Sequence, residues 1–311
     1  METITIIGTG LIGTSLGMAL RKQGHFVVGF DRSEKNLEEA KKLNAFDATS
    51  HPCLPSGKSS NQANCLPARQ VLQSSIVILA TPVDTIIEII PFVLDNMSSD
   101  AVLIDIGSTK KAICQKVRNH AKRNAFVAAH PMAGSETTGP QAAKPNLFVN
   151  KRVVICEPEL SSQAALSKAI ELFEEIGLDH IFLAPEEHDS TVALISHLPQ
   201  VLAFAFASLP QFENNDFQNW SKVASSGFDS STRLALSTPG IWMPILLQNK
   251  DCLINALRLL TQNIELFTYS LLDENTSTLI AQMERARKTR VRFEEEQAKT
   301  NQPKELTILT K

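Results

Sequence analysis

The residues with the clearest capacity for chemistry lie in Ala129-His130-Pro131-Met132-Ala133-Gly134-Ser135-Glu136. An apolar run, Phe126 to Ala129, precedes His130 and is short enough to be a buried strand, and the chain then breaks at Pro131 and Gly134. A neutral imidazole at the C-terminal end of a strand accepts a proton near pH 7, which is general-base chemistry. The plainer reading of His130 is a satisfied histidine that ends a strand. What surrounds it decides between the two.

A second group sits at the N-terminus. The β-branched run Thr3 to Ile7 leads without a gap into Gly8-Thr9-Gly10-Leu11-Ile12-Gly13. A helical stretch, Ser15 to Arg21, is closed by Gly24, and a strand from Phe26 to Phe30 ends at Asp31. Strand, glycine turn, helix, strand and acidic residue in this order form a dinucleotide fingerprint in its required context. Gly8 would permit the tight turn, Gly10 the approach of a pyrophosphate, and Gly13 close packing of helix on strand. The pyrophosphate would meet free N–H groups at the helix N-terminus. Asp31 would accept from the adenosine ribose and so favours NAD; Arg32 beside it offers a cation to a 2′-phosphate, which leaves NADP open, unless it is a solvated surface charge. Thr81 and Pro82, ending another apolar strand, join Gly8 to Gly13, Asp31 and Arg32 as the expected cofactor-binding set.

These groups need elements to hold them. Ser33 is placed to cap a helix from Glu34 to Leu43. Residues 48–69, rich in Ser, Asn and Pro, read as a loop. Further strands are expected at Ile76–Ala80, Ala101–Ile106, Arg152–Cys156 and His180–Leu183. Between them come helices at Asp84–Leu94 (bent or broken at Pro91), after Lys110 to about Lys122, and Ser162–Ile176 capped by Gly177. Regular alternation of this kind predicts a parallel sheet covered on both faces, an α/β Rossmann-type doubly wound domain over residues 1–184. From Pro185 no convincing strand follows. Val201–Leu209 is apolar on nearly all sides and Ile245–Leu272 is a long helical pattern, so 185–293 is expected to be an all-helical substrate and dimerisation domain, forming a homodimer. Residues 294–311 read as a C-terminal tail.

Composition narrows the functional classes. The 311 residues carry a net charge of −3, with 43% hydrophobic and 20% charged residues, which directs the chain toward neither nucleic acid nor an anionic membrane. The basic run Arg285, Arg287, Lys288, Arg290, Arg292 is followed by Glu294 to Glu296 at i,i+4 spacing and reads as a solvated helix face. Five cysteines without a C-x-x-C make a metal site or disulfide framework unexpected and point to a reducing cytoplasmic compartment. No export signal is read at the N-terminus, no uncharged apolar run is read as long enough to span a bilayer, and no G-x-S-x-G supports hydrolase chemistry.

Taken together, GTGLIG at 8–13, GSTK at 107–110, HPMAGSE at 130–136, SHLP at 196–199 and STRLALSTPGIW at 231–242 resemble the prephenate dehydrogenases, including their relatives acting on arogenate. The resemblance runs from residue 1 to about 290. It implies an NAD-dependent oxidative decarboxylation in tyrosine biosynthesis that yields 4-hydroxyphenylpyruvate from prephenate. By motif position it implies that His130 takes the ring-hydroxyl proton, and that Ser108 orients His130 or that hydroxyl. The other reading of Ser108 is a cap on a helix starting at Thr109. Arg233 would clamp a substrate carboxylate, its plainer role being a surface ion pair with Asp229. His197, one turn before a bend at Pro199, would bind the substrate side chain, Ser135 and Glu136 would line the pocket, and Trp242 would wall it. Two departures bear on the substrate: Gln200 stands where many members carry a further histidine, and Asp229 where some place a lysine. Arogenate dehydrogenase or a dual-specificity cyclohexadienyl dehydrogenase is the alternative enzyme. A catalytically silent dinucleotide sensor is the alternative outside catalysis, and it need not keep Ser108, His130 and Arg233 together.

Overall fold

The computed structural model describes residues 1–51, 72–212 and 217–300. Among them, eight strands share one sheet: β1 (Thr3–Ile7), β2 (Phe26–Phe30), β3 (Ala48–Ser50), β4 (Ile76–Leu79), β5 (Val102–Asp105), β6 (Phe126–Pro131), β7 (Lys151–Cys156) and β8 (Leu178–Phe182). Their spatial order is β3-β2-β1-β4-β5-β6-β7-β8, so the winding reverses between β1 and β4. Strands β1 to β6 pair in parallel, which brings the ends of β1, β4, β5 and β6 to one edge of the sheet. Open sheets of this kind bind ligands at that edge, beside the reversal. The expected parallel order breaks once: β7 runs antiparallel to β6, with His130 opposite Val154. No crossover helix separates these two strands; a loop brings the chain straight back, and Met132 N donates to Arg152 O at 2.7 Å.

Alternate residues of the central strands feed two apolar layers, as a sheet covered on both faces requires. Ile76 and Ile78 pack with Leu16, Leu20 and Phe173, whereas Val77 and Leu79 pack with Ile86, Ile90 and Val93. The covering helices are α1 (Leu11–Lys22), α2 (Glu34–Lys42), α3 (Val83–Asn96), α4 (Lys111–Val117) and α5 (Gln163–Glu175). Ser33 caps α2 by accepting from Asn36 N, and Ser162 caps α5 by accepting from Ala165 N, both at 3.2 Å.

Several local expectations are corrected. Residues 48–50 are an edge strand, not loop, and residues 52–69 of the expected loop lie outside the described residues. Helix α3 continues through Pro91, held by the buried row Ile86, Ile90, Val93 and Leu94 against the sheet. Helix α4 starts at Lys111 and ends at Val117, so Ser108 caps nothing.

The helical region comprises α6 (Pro185–Val192), a π-helical turn (Ala193–His197), α7 (Leu198–Phe212), α8 (Phe217–Val223), α9 (Ser226–Thr232), α10 (Pro239–Gln248), α11 (Lys250–Leu272) and α12 (Thr276–Thr300). The π turn lies directly before Pro199, which has no N–H to offer the Ile195 carbonyl; the helix accommodates the proline by widening rather than by ending. The helical run from Pro185 to Ser208 spans 24 residues and contains an 18-residue stretch with a mean hydropathy of 1.5, which by length and composition is enough to cross a membrane, contrary to the sequence expectation. Its inner face nevertheless carries buried His188, Asp189, His197 and Gln200, all hydrogen-bonded within the fold, as in a core helix. Asn249 divides the expected long helix Ile245–Leu272 into α10 and α11. Residues 294–300, expected as tail, continue α12.

Met1–Leu253 form one compact unit and Ile254–Lys311 a second. In the second, Leu259, Ile264, Leu266, Leu271, Leu272, Ile280, Met283 and Phe293 are exposed apolar side chains. Arg290 pairs with Glu294 at 2.9 Å along α12.

Candidate active site

The glycine turn after β1 has the geometry that a dinucleotide needs. Gly8 has φ +103°, and a methyl group there would lie 2.6 Å from the Ala80 carbonyl oxygen. A methyl on Gly13 would collide with the Gly8 carbonyl, so only glycine lets α1 sit this close to the turn. Around Gly10 the space is open to at least 4 Å, which leaves the N-terminus of α1 accessible. Asp31 is buried at the end of β2: its Oδ2 accepts from Thr9 N at 2.7 Å and Thr9 Oγ1 at 3.0 Å, and its Oδ1 from Ser33 N at 2.8 Å. The carboxylate thus ties the glycine turn to the start of α2 and keeps lone pairs for further donors.

A cavity of about 980 Å³ runs from this turn along the strand ends to the helical region. It is lined by Gly8, Gly10, Leu11, Ile12, Asp31, Arg32, Thr81 and Pro82 at one end, and by Ser108, His130, Ser135, Glu136, His197, Arg233 and Trp242 at the other. Of the expected site residues only Thr9 and Gly13 stand behind the wall, as supports of the turn. The residues present fit a dinucleotide, with room beyond it for a small acid.

His130 ends β6 at the cavity wall, and its ring partner is one that sequence reasoning missed. Nδ1 of His130 lies 2.8 Å from Nε2 of His188 on α6, and Nδ1 of His188 lies 2.7 Å from Oδ1 of Asp189. Asp189 also accepts from Lys110 N at 2.7 Å and Lys111 N at 3.0 Å. Burial alone would raise its carboxyl, but hydrogen bonds from His188 and these two amides outweigh that and hold it below the usual range. Among the described residues Ser108 makes no hydrogen bond to His130; it contributes to the wall instead. Burial, first, and then the neighbouring His188, Lys110 and His197 push the His130 imidazole well below its ordinary value, so it is neutral at physiological pH.

Behind His130 lies a buried ion pair. The Lys110 ammonium contacts Asp105 Oδ1 and donates to the Ala129 carbonyl at 2.6 Å, one residue before His130. Both side chains are fully buried. Burial pushes the Asp105 carboxyl up, against Lys110 and the Gly107 amide. His197 lines the same cavity, its ring edge-on to Trp242 with centroids 6.0 Å apart, and burial lowers its imidazole to about 4. Asn249 Nδ2 sits 3.1 Å from His197 Nδ1 and donates to the Asp189 carbonyl at 2.7 Å.

Arg233 follows α9 and is 52% exposed at the cavity mouth. Its guanidinium donates to Glu136 Oε2 at 2.6 Å, so its ionic partner is Glu136 rather than Asp229. The Glu136 carboxyl is held down by its own backbone amide and by Arg233. Gln200, buried on α7, donates to the Leu234 carbonyl at 2.7 Å and so anchors the turn that carries Arg233. The Lys of GSTK, and the adjacent His188-Asp189 in the first turns of a helix entering an apolar run, were the available sequence signals for the supporting groups.

Comparison with known proteins places this arrangement. Residues 16–182 match the prephenate dehydrogenase nucleotide-binding domain and residues 184–285 the prephenate dehydrogenase dimerization domain. The chain is 30% identical over 262 residues to a prephenate dehydrogenase of Bacillus subtilis, covering 82% of this chain but 66% of that relative's length. It is 25% identical over 291 residues to a cyclohexadienyl dehydrogenase of Zymomonas mobilis, covering 93% and 94% of the two chains. The fold matches that of prephenate dehydrogenase from Aquifex aeolicus in complex with hydroxyphenyl propionate and NAD+, at a TM-score of 0.81 and 24% identity over 94% of this chain and 98% of the other. With both of its domain models matched in order along one chain, this protein belongs to the prephenate dehydrogenase family.

Proposed function

We propose that this chain is an NAD-dependent prephenate dehydrogenase, converting prephenate to 4-hydroxyphenylpyruvate with loss of carbon dioxide in tyrosine biosynthesis. The observation that carries this reading is that a neutral, buried-side histidine, a guanidinium and a dinucleotide turn face one cavity. Bound NAD would supply the hydride acceptor. His130 takes the ring-hydroxyl proton as the hydride leaves the same carbon. Ser108 orients that hydroxyl, and His197 donates to the substrate side chain. Arg233 holds a carboxylate, Ser135 and Glu136 shape the mouth, and Trp242 excludes water from one wall. Gly8 to Gly13, Asp31, Thr81 and Pro82 hold the dinucleotide, with Arg32 at its ribose end. We assign residues 1–184 to cofactor binding and 185–293 to substrate binding and self-association. The homodimer reading draws support from the dimerization-domain match and from the exposed apolar side chains of α11 and α12. The free cysteines among the described residues, Cys114, Cys156 and Cys252, favour a cytoplasmic enzyme.

Arogenate is the second substrate reading, alone or with prephenate. Gln200 favours it, because a neutral amide already bonded to Leu234 and Ser237 supplies no cation to a substrate side chain. A spectrophotometric assay of nicotinamide reduction, pairing prephenate and arogenate with NAD and NADP, tests both readings. Prephenate with NAD is expected to react fastest. Turnover of neither acid would overturn the assignment.

Two variants probe the ends of the cavity. Asp31→Ser removes the acceptor of Thr9 and Ser33 and relieves repulsion of a 2′-phosphate beside Arg32. The ratio of kcat/KM for NAD over NADP should fall; an unchanged or rising ratio would exclude Asp31 as the discriminator. Arg233→Ala should raise KM by about ten- to a hundredfold with a smaller change in kcat, since a carboxylate clamp acts in ground and transition states alike. Its half-exposed position argues against a larger effect. An unchanged KM would remove Arg233 from the substrate site.

A further inference from the structure

The His130–His188–Asp189 chain has a polarity, and that polarity selects which nitrogen of each cavity histidine carries a proton. Backbone N–H groups only donate. Those of Lys110 and Lys111 therefore mark both Asp189 oxygens as acceptors. His188 Nδ1, 2.7 Å from Oδ1, must then be the donor of that contact. When His188 carries a single proton, on Nδ1, its Nε2 is a lone pair 2.8 Å from His130 Nδ1. In that state His130 donates from Nδ1, which frees its Nε2 as the lone pair on the cavity side. On the proposed function, this is the tautomer that a base requires. The imidazolium formed when Nε2 takes the hydroxyl proton keeps its Nδ1–H bond to His188 and faces the Asp189 charge two links away.

Asn249 extends the same logic to His197. The Asp189 carbonyl oxygen can only accept, so the atom 2.7 Å from it is the Asn249 amide nitrogen. The same nitrogen lies 3.1 Å from His197 Nδ1, which therefore accepts and leaves His197 protonated at Nε2. We propose that His188, Asp189 and Asn249 are positioning residues that set the two cavity histidines in opposite tautomers, His130 as an acceptor and His197 as a donor at Nε2. The site then offers a base and a neutral hydrogen-bond donor from the same residue type. The arrangement suits a substrate with a hydroxyl proton to lose at one end and a carbonyl or carboxylate oxygen to bind at the other. This deepens the proposed function and rests on it for the role of His130, but not for the tautomers.

Imidazole ¹⁵N chemical shifts of the full-length, ligand-free protein read the tautomers without any turnover. His130 and His197 are assigned among the seven histidines from spectra of His130→Asn and His197→Asn. In the wild type, His130 is expected as Nδ1–H and His197 as Nε2–H. His188→Gln presents an amide N–H to Asp189 and an amide oxygen to His130, so His130 should remain Nδ1–H with kcat within about tenfold of wild type. His188→Leu removes the acceptor; His130 should shift toward Nε2–H, and kcat should fall on the order of ten- to a thousandfold with little change in KM. Asn249→Leu should release His197 alone. Nε2–H at His130 in the wild type overturns the proposal, as does a folded His188→Leu protein with His130 still Nδ1–H. If His188→Leu does not fold, the wild-type and His188→Gln tautomers decide. A wild type with the expected tautomers but no turnover of prephenate or arogenate would refute the function and leave the relay standing.

Discussion

His130→Asn is expected to lower kcat by about two to four orders of magnitude while KM moves little. Asparagine retains a hydrogen-bonding side chain at the end of β6 but no proton-accepting nitrogen. Ground-state placement of the substrate therefore survives, and only the step that removes the hydroxyl proton suffers. The wild-type pH–rate profile follows from burial. A histidine acts as a base only when neutral, and His130 is neutral above a value pushed well below the ordinary one by burial and by His188, Lys110 and His197. Activity should therefore show no acid limb from His130 between about pH 6 and 8, where an exposed histidine would give one. Steady-state kinetics across that range check both statements. Near-normal kcat in His130→Asn removes it as the base, and an acid limb near pH 6.5 that disappears in the variant shows that the pocket does not depress the imidazole.

The contrast between what was legible in the chain and what was not has a physical basis. The glycine turn, Asp31, His130 and Arg233 could be read because each depends on local context: a β-branched run before Gly8, an apolar run before His130, a turn around Arg233. The α/β class followed from the same periodicity. Contacts between distant segments carry no such signature. His130 and His188 are 58 positions apart, and Asp189 gains its role only when α6 is laid across the N-terminus of α4. Asn249 was hidden inside an apparently continuous helical pattern, because a buried asparagine between two helices looks like one polar position on an amphipathic face. The prolines misled in the other direction. Pro91 suggested a bend or break and Pro199 a bend, yet packing against the sheet carries α3 through one and a π turn absorbs the other. Glu136 as the partner of Arg233 was likewise invisible, since nothing local favours it over Asp229, four residues away.

Lys110→Met is expected to destabilise the fold by about 3–5 kcal/mol, because it leaves Asp105 buried without its cation. The side chains are of similar length, so lost packing contributes little. The dominant cost is an uncompensated carboxylate whose Oδ2 already lacks a partner and whose Oδ1 would keep only the Gly107 amide at 2.9 Å. The Ala129 carbonyl loses its donor as well, which loosens the end of β6 that carries His130. Urea unfolding at neutral pH measures the deficit. Its pH dependence has a definite sign. The folded Asp105 carboxyl is already raised by burial, and removing Lys110 raises it further. The folded variant therefore binds a proton that the unfolded chain has released, and its stability relative to the wild type should improve as pH falls toward about 4. Asp105→Asn combined with Lys110→Met keeps an acceptor for Gly107 and removes the buried charge, so it should recover much of the loss. If the single variant is as stable as the wild type at neutral pH, or if its deficit grows on acidification, the Lys110–Asp105 pair does not hold the strand end from which His130 projects.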